Sequence, residues 1–327
     1  MFNSGRANTI FVQIASYRDP ELYPTIVSCL MNAAHPENIS FGIMHQYDDK
    51  TLHMLDQFRG QGGFGLTEVH WSAARGLGVA RNISETFYRG EEFSLQVDSH
   101  MYFDKNWDTS LIEQWRSCHN PRAVLSVYPS NYSYDDQGRV KLSKTDNIAQ
   151  MYVGEFFNKD IPVFRARELK RNAEDQRRLR RSAFVCGGFV FASGSIIKLP
   201  YIKDICFMGD EIVRSVQLYT HGYDFYVPRD LPIYHMYGRK NTPKYWDDMR
   251  TTPWLQKIYT NMTDLSYRTI RNILQGRDRR FIGRKRTLRE YEAYAGVDFK
   301  KLIISDQQKQ KTEPPYETKL DWSDGRV

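Results

Sequence analysis

The stretch Phe93-Ser94-Leu95-Gln96-Val97-Asp98-Ser99-His100 decides how this chain is read. Its first five residues alternate and are rich in strand formers, so they predict a buried strand. That strand delivers Asp98 and His100 at its carboxyl end. Residues at i and i+2 on extended backbone point the same way. In open α/β sheets, ligands bind outside the carboxyl ends of the strands. A carboxylate and an imidazole facing one point can share a divalent cation. The other reading is an aspartate capping a turn beside a surface histidine, and three residues alone do not choose between them.

Working outward, the pattern repeats. Residues 9–15 (TIFVQIA), 39–45 (ISFGIMH) and 66–71 read as strands. Residues 21–34 carry apolar side chains at helical spacing, 51–58 are helix-like, and 80–88 read as a third helix. Beyond the central strand, 107–117 predict a helix, 123–128 a strand and 131–138 a turn-rich loop. Residues 183–192 (AFVCGGFVFA) predict a strand broken by Gly187 and Gly188, which marks a bulge, a close approach of a ligand, or packing against a bulky neighbour. Residues 209–219 predict a helix that starts on acids, and 224–227 a short strand. Strands alternating with helices predict an α/β fold with a mostly parallel central sheet and helices on both faces. Residues 307–327, polar with Pro314-Pro315, read as a tail or a docked arm.

A chain of 327 residues suffices for one large domain, or one domain with an appendage. No apolar run approaches the roughly 20 residues of a membrane span, and the polar start lacks the core of a secretory signal. We therefore expect a soluble cytoplasmic protein without stable membrane insertion. Cys29, Cys118, Cys186 and Cys206 are widely spaced, which argues against a zinc knuckle or a disulfide framework. Net charge is +7 with a pI near 9.1. That balance suits a phosphate-bearing ligand, an acidic protein, nucleic acid or an anionic membrane. The charge concentrates in residues 165–181 and 277–289, each readable as solvated helix or loop surface.

Three groups carry chemistry. The first is Asp98 and His100, joined by His235 as a third ligand or, alternatively, with His235 bonded to backbone in the core. Such a set leaves positions open on an octahedral Mn²⁺ or Mg²⁺, although a zinc hydrolase could use the same residues. The second is the loop Ser16-Tyr17-Arg18-Asp19 together with Arg75-Gly76-Leu77-Gly78-Val79-Ala80-Arg81. Two arginines around a glycine loop at a helix start suit an anion, and Tyr17 can stack on a base. The third is Asp210-Glu211, which can accept bonds from sugar hydroxyls, act as bases, or simply favour a helix start.

These blocks together resemble a known family. IFVQIASYRDPEL, ARGLGVAR, FSLQVDSHMYFDKNWD, CGGFVFASG, GDEIVRSVQLYTHGYDFYVP and IYHMYGR, with the later FIGRKRTLREYEAYAGVDF, resemble the transferases that move N-acetylglucosamine from UDP-GlcNAc to protein hydroxyls. That family is known from the cytoplasmic hydroxyproline GlcNAc-transferases of protists. It is similar to the mucin-type polypeptide sugar transferases, with a glycosyltransferase A fold and a D-x-H metal motif followed by a later histidine. The resemblance implies Asp98, His100 and His235 as metal ligands. It implies Ser16 to Asp19 near uridine, and Arg75, Arg81, Tyr237 and Arg239 near uridine or diphosphate. Gly187, Gly188, Asp210 and Glu211 would line the sugar site, the two acids being the catalytic candidates. Residues 155–182 match no block of the resemblance.

The reading is a metal-dependent, retaining glycosyltransferase with UDP-GlcNAc as donor and a polypeptide acceptor, an acidic one among the options. Its catalytic domain would span 1–240 and a helical extension 241–327. No nucleic-acid partner is expected, and a homo-oligomer remains open. The alternative is a non-catalytic basic module for nucleic acid or anionic membrane.

Overall fold

The computed structural model describes residues 7–158, 160–239, 242–309 and 313–315. The chain begins with β1 (Ile10–Tyr17), α1 (Leu22–Asn32), β2 (Ile39–Tyr47), β3 (Phe64–His70), α2 (Leu77–Glu85) and β4 (Phe93–Val97). A second run comprises β5 (Met101–Phe103), α3 (Trp107–Arg116), β6 (Ala123–Leu125), β7 (Ser130–Tyr134) and β8 (Val140–Leu142). Then come β9 (Asn147–Phe157), β10 (Ile161–Lys170), α4 (Ala173–Arg177), β11 (Arg180–Ser182) and β12 (Phe189–Ser193). The chain continues through α5 (Asp210–Thr220), β13 (Asp224–Val227), β14 (Ile233–His235), α6 (Tyr245–Asp248), α7 (Pro253–Leu274) and α8 (Leu288–Ala295).

Eight strands form one sheet in the order β11-β13-β6-β12-β4-β1-β2-β3. Neighbours are parallel at β4-β1, β1-β2, β2-β3 and β13-β6, while β12 runs antiparallel to β4 and β6. The sheet is thus mostly parallel, as the alternation predicts. β4 lies between β1 and β12, and all five of its residues are buried. Ile10, Val12 and Ile14 pack with Leu22 and Ile26 of α1 and Trp107 and Leu111 of α3 on one face. Val190, Ala192 and Phe225 pack with Ile212 and Val216 of α5, Ile270 of α7 and Tyr291 of α8 on the other. Each such buried Val, Leu, Ile or Phe side chain contributes about 1.5–3 kcal/mol. A second sheet, β5-β14-β7-β8, stands beyond the end of β4 and carries His235 back beside Asp98. No helix among the described residues is long and apolar enough to cross a membrane.

Several expectations are corrected. Residues 51–58 form turns and one 3-10 turn, Asp56–Phe58, not an α-helix. The Asp48 side chain accepts the backbone N–H groups of Lys50 and Thr51, which favours turn over helix. Residues 131–138 are not all loop, because β7 alternates its buried Tyr132 against β8 and pairs with β14. The basic segment 165–181 is mostly not helix. β9 and β10 form a long hairpin, bulged at Val163/Phe164, whose tip is held to α7 by Arg271 on Asp160 at 2.6 Å. Only α4 in that segment is helical, started by an Asn172–Asp175 capping box. Some of the cations there are matched by carboxylates: Arg165 pairs with Glu155, Arg178 with Glu174 and Glu313, and Arg180 with Asp175 and Glu313.

Of the arm expected over 307–327, Gln308 is docked. Its amide nitrogen donates to the carbonyl of Ala295, and its amide oxygen accepts from Val153 N–H. Residues 310–312 and 316–327 lie outside the described residues.

Candidate active site

β4 ends at Val97, and the next three residues turn Asp98 and His100 toward the end of β14. His235 reaches the same point from 137 residues away, its Nε2 lying 3.3 Å from Asp98 Oδ2. His100 Nε2 lies 2.9 Å from His235 Nε2 and 3.9 Å from Asp98 Oδ2. The ligand atoms of the three residues all fall within 4.8 Å of one another. Two imidazole nitrogens that both face a carboxylate oxygen at such distances converge their lone pairs on one point. Ligands about 2.1 Å from an octahedral cation sit about 3 Å apart on an edge, so the set fits one divalent ion.

The backing of the two histidines differs. His100 Nδ1 lies 2.8 Å from Asp19 Oδ2, which also receives Ser99 Oγ and Arg239 Nη1. His235 Nδ1 is buried without a hydrogen-bond partner among the described residues, and its ring is held by Tyr237 at a centroid distance of 4.1 Å. Burial lowers the His100 pKa, opposed by Asp19 and Asp98, and favours the neutral ring that a metal requires. Burial also works against the Asp98 charge. Contact with the imidazoles of His235 and His100, together with the Arg81 guanidinium, outweighs it and holds Asp98 below the usual carboxylate range.

Behind Asp98 stands Arg81 of α2, only 4% exposed. Its Nη1 donates to Asp210 Oδ2 at 2.9 Å and to the Tyr201 hydroxyl, and its Nη2 donates to the Gly187 carbonyl at 2.7 Å. Nη2 also lies 3.4 Å from Asp98 Oδ1. The guanidinium is therefore a buried strut between two carboxylates, rather than a solvent-facing clamp.

Asp210 and Glu211 open α5, after Gly209 at φ +86°, a conformation that suits glycine. Glu211 Oε1 accepts from Gly187 N–H at 2.8 Å, and Oε2 accepts from the Tyr128 hydroxyl at 3.1 Å. Burial, reinforced by Asp210, pushes the Glu211 carboxyl up to about 8. Burial likewise raises Asp210, against the pull of Arg81.

Gly187 and Gly188 are explained by close approach. A Cβ on Gly188 would sit 2.9 Å from Asp98 Oδ2, and one on Gly187 would sit 3.3 Å from Asp210 Oδ2. The regular strand starts only at Phe189, after a Cys186–Phe189 bridge. Arg81, Asp98, Gly187, Gly188, Asp210, Glu211, His235 and Tyr237 all line one cavity of about 310 Å³. Its apolar walls include Val163 and Phe164 of the hairpin, with Phe207 and Met208.

The remaining residues of the expected donor site lie apart from this cavity. Ser16 is fully buried, and its carbonyl accepts from Gln46 Nε2. The Tyr17 hydroxyl donates to Asp248 at 3.0 Å, and Arg18 pairs with Asp48 and Asp248 while lying over Trp71. Arg75 is exposed ahead of α2, with its guanidinium on the carbonyls of Ser72 and Ala74. Asp19 and Arg239 sit behind His100. Sequence reasoning missed Tyr128, Tyr201, Asp48 and Asp248. Each makes its contact only through segments distant in the chain, so no local pattern marks it.

A family description, "Glycosyltransferase (GlcNAc)", matches residues 9–61 and 61–301. The chain belongs to the GlcNAc glycosyltransferase family. The crystal structure of GalNAc-T7 with UDP, GalNAc and Mn²⁺ resembles this glycosyltransferase at a TM-score of 0.54 and 13% identity, over 81% of this chain and 50% of that one. S. aureus TarS 1–349 is similar at a TM-score of 0.46 and 14% identity, over 70% of this chain and 60% of that one. The chain thus spans half to three-fifths of the length of these structures. No curated protein sequence matches it. The shared architecture is the glycosyltransferase A fold.

Proposed function

We propose that this glycosyltransferase is a metal-dependent, retaining enzyme. It moves GlcNAc, or a similar hexosamine, from a UDP-sugar to a hydroxyl of a polypeptide, in the cytoplasm. The observation that carries the reading is the convergence of Asp98, His100 and His235 on one point, beside a cavity that Asp98 and His235 line together with Asp210 and Glu211. GalNAc-T7, a structure of the same fold, was crystallised with UDP, GalNAc and Mn²⁺, which agrees with that pairing of cation and sugar. The GlcNAc donor, the polypeptide acceptor, retention and the location rest on the family resemblance.

Asp98, His100 and His235 would hold Mn²⁺ or Mg²⁺, which when bound supplies Lewis-acid stabilisation of the leaving diphosphate. Asp210, buried, and Glu211, half-buried, line the same cavity and would take hydrogen bonds with sugar hydroxyls. Phe164, Phe207 and Met208 exclude water from the sugar. Tyr237 and Arg75 would contact the nucleotide.

No carboxylate lining the cavity stands ready as a nucleophile. Asp98 is committed to the histidines, Asp210 to Arg81, and Glu211 keeps its proton at neutral pH. That supports attack from the same face as the leaving group over a covalent intermediate. For the acceptor, a cleft of about 1450 Å³ between β10 and the β5-β14-β7 sheet shares Tyr128, Pro129, Phe164 and Tyr237 with the sugar cavity. A chain lying there can present a hydroxyl to the sugar. The cleft mixes acids such as Asp146 and Asp230 with Lys105 and Arg229, so it gives little support to a strongly acidic acceptor.

The test is a donor screen following UDP release from UDP-GlcNAc, UDP-GalNAc and UDP-glucose, with Mn²⁺ or with chelator. Release should be fastest from UDP-GlcNAc and vanish with chelator. Equal release under chelation would contradict the reading.

A further inference from the structure

The loop after β1 carries Asp19, which the resemblance would set near uridine, yet Asp19 is only 2% exposed. Its Oδ2 accepts from Ser99 Oγ at 2.7 Å and from Arg239 Nη1 at 2.6 Å, and lies 2.8 Å from His100 Nδ1. Its Oδ1 accepts from Glu21 N–H at 3.1 Å. Three donors crowd Oδ2 and a backbone N–H meets Oδ1. With 2% of the residue exposed, a ribose hydroxyl or a base has no surface by which to reach it.

We propose that Asp19 is a positioning residue of the metal centre, fixing the tautomer and ring plane of His100, and that it makes no contact with the nucleotide. The inference rests on the reading of Asp98, His100 and His235 as metal ligands. An ionised carboxylate can only accept, so Nδ1 of His100 carries the proton. Nε2 is then left with a free lone pair, and it is Nε2 that faces Asp98 and His235. A carboxylate behind a ligating imidazole raises its basicity and holds its orientation.

The comparison with His235 sharpens the point. That ring has no hydrogen-bond partner on Nδ1 among the described residues and leans on Tyr237 instead. Asp19 is thus the single carboxylate behind the histidine pair among the described residues. It also ties three segments together: the end of β1, the turn after β4 through Ser99 and His100, and the stretch after β14 through Arg239. That tie sets the angle at which the His100 ring meets His235, 76° between the planes.

The experiment titrates Mn²⁺ alone into the full chain by calorimetry, for the wild type and Asp19→Asn, and then titrates UDP at saturating Mn²⁺. An asparagine keeps the shape but presents an N–H that can turn the His100 tautomer around. Mn²⁺ affinity should fall about 10–100-fold, with UDP affinity at saturating Mn²⁺ within about twofold of wild type. Unchanged Mn²⁺ affinity with weakened UDP binding would overturn the proposal and return Asp19 to the nucleotide. No Mn²⁺ binding by the wild type would instead overturn the metal reading beneath it. A second measurement does not depend on the variant folding. ¹⁵N NMR of the metal-free wild type should show His100 protonated on Nδ1, and protonation on Nε2 would sink the proposal.

Discussion

Arg81 divides the cavity into two carboxylate regions that share one guanidinium and yet behave oppositely. On one side, Asp98 faces two imidazoles and is held in its charged form despite burial. On the other, Glu211 faces a tyrosine hydroxyl and one backbone N–H beside a second acid, and burial holds its proton to about pH 8. Environments that push neighbouring carboxyl groups apart are how one site assigns them different tasks. The Asp98 side is suited to a cation and the diphosphate it would neutralise. The Glu211 side is suited to a neutral sugar, toward which a protonated carboxyl can donate as well as accept.

The largest expected effect comes from removing the divider. Arg81→Ala leaves the buried Asp210 and the half-buried Asp98 without their shared cation, and loss of one partner of a buried pair such as Arg81–Asp210 costs about 3–5 kcal/mol. Urea denaturation should show that loss. A fully stable Arg81→Ala that merely binds UDP-sugar more weakly would make Arg81 a substrate clamp and erase the two-sided picture.

A smaller effect is expected at Gly188, where a methyl group would meet Asp98 Oδ2 at 2.9 Å. Gly188→Ala should cost about 1–3 kcal/mol, as overpacking does, and should weaken Mn²⁺ binding as well. Wild-type Mn²⁺ affinity in that variant would show that Asp98 need not stay where it is.

The Glu211 side gives a pH signature. Its folded-state value of about 8 lies above its ordinary 4.5. The stability it contributes is therefore complete below pH 4.5 and is lost as the pH rises toward about 8. Glu211→Gln stays neutral throughout, so its stability relative to wild type should rise across that window, and its turnover should decline less above pH 8. Parallel stability profiles for the two proteins would mean that Glu211 is ionised at neutral pH. The smallest effect belongs to the hairpin side. Arg178→Ala removes exposed pairs with Glu174 and Glu313, for which about 0.2–1 kcal/mol is typical.

The two sides were unequally legible in the sequence. Asp98 and His100 announce themselves because the strand before them is five residues of plain alternation and the pair sits at its end. Asp210 and Glu211 are visible as acids at a helix start, but nothing local says that one keeps a proton. That follows from Tyr128, 83 residues away, and from burial. Arg81 reads in sequence as a helix-start arginine free to meet phosphate. Its partners Tyr201 and Asp210 lie 120 and 129 residues further on, and only folding reveals that it is spent on them. The hairpin of β9 and β10 was hidden because its arginines suggested a solvated helix. No clean alternation marks β10 as a strand either, because Arg165, Arg167 and the buried Leu169 share one parity and a bulge separates Val163 from Phe164. The parallel sheet was legible because each of its units is local, a strand and then a helix.

The central claim is that the Asp98 side is a cation site serving a nucleotide. Calorimetric titration of UDP into the wild type and Asp98→Asn, each with Mn²⁺ and with chelator, tests it most directly. The wild type should bind UDP with Mn²⁺ and at least tenfold more weakly with chelator, a difference of about 1.4 kcal/mol or more. Folded Asp98→Asn should bind weakly in both conditions. Wild-type UDP affinity that ignores the metal, or Asp98→Asn that keeps the full Mn²⁺-dependent affinity, would contradict the account.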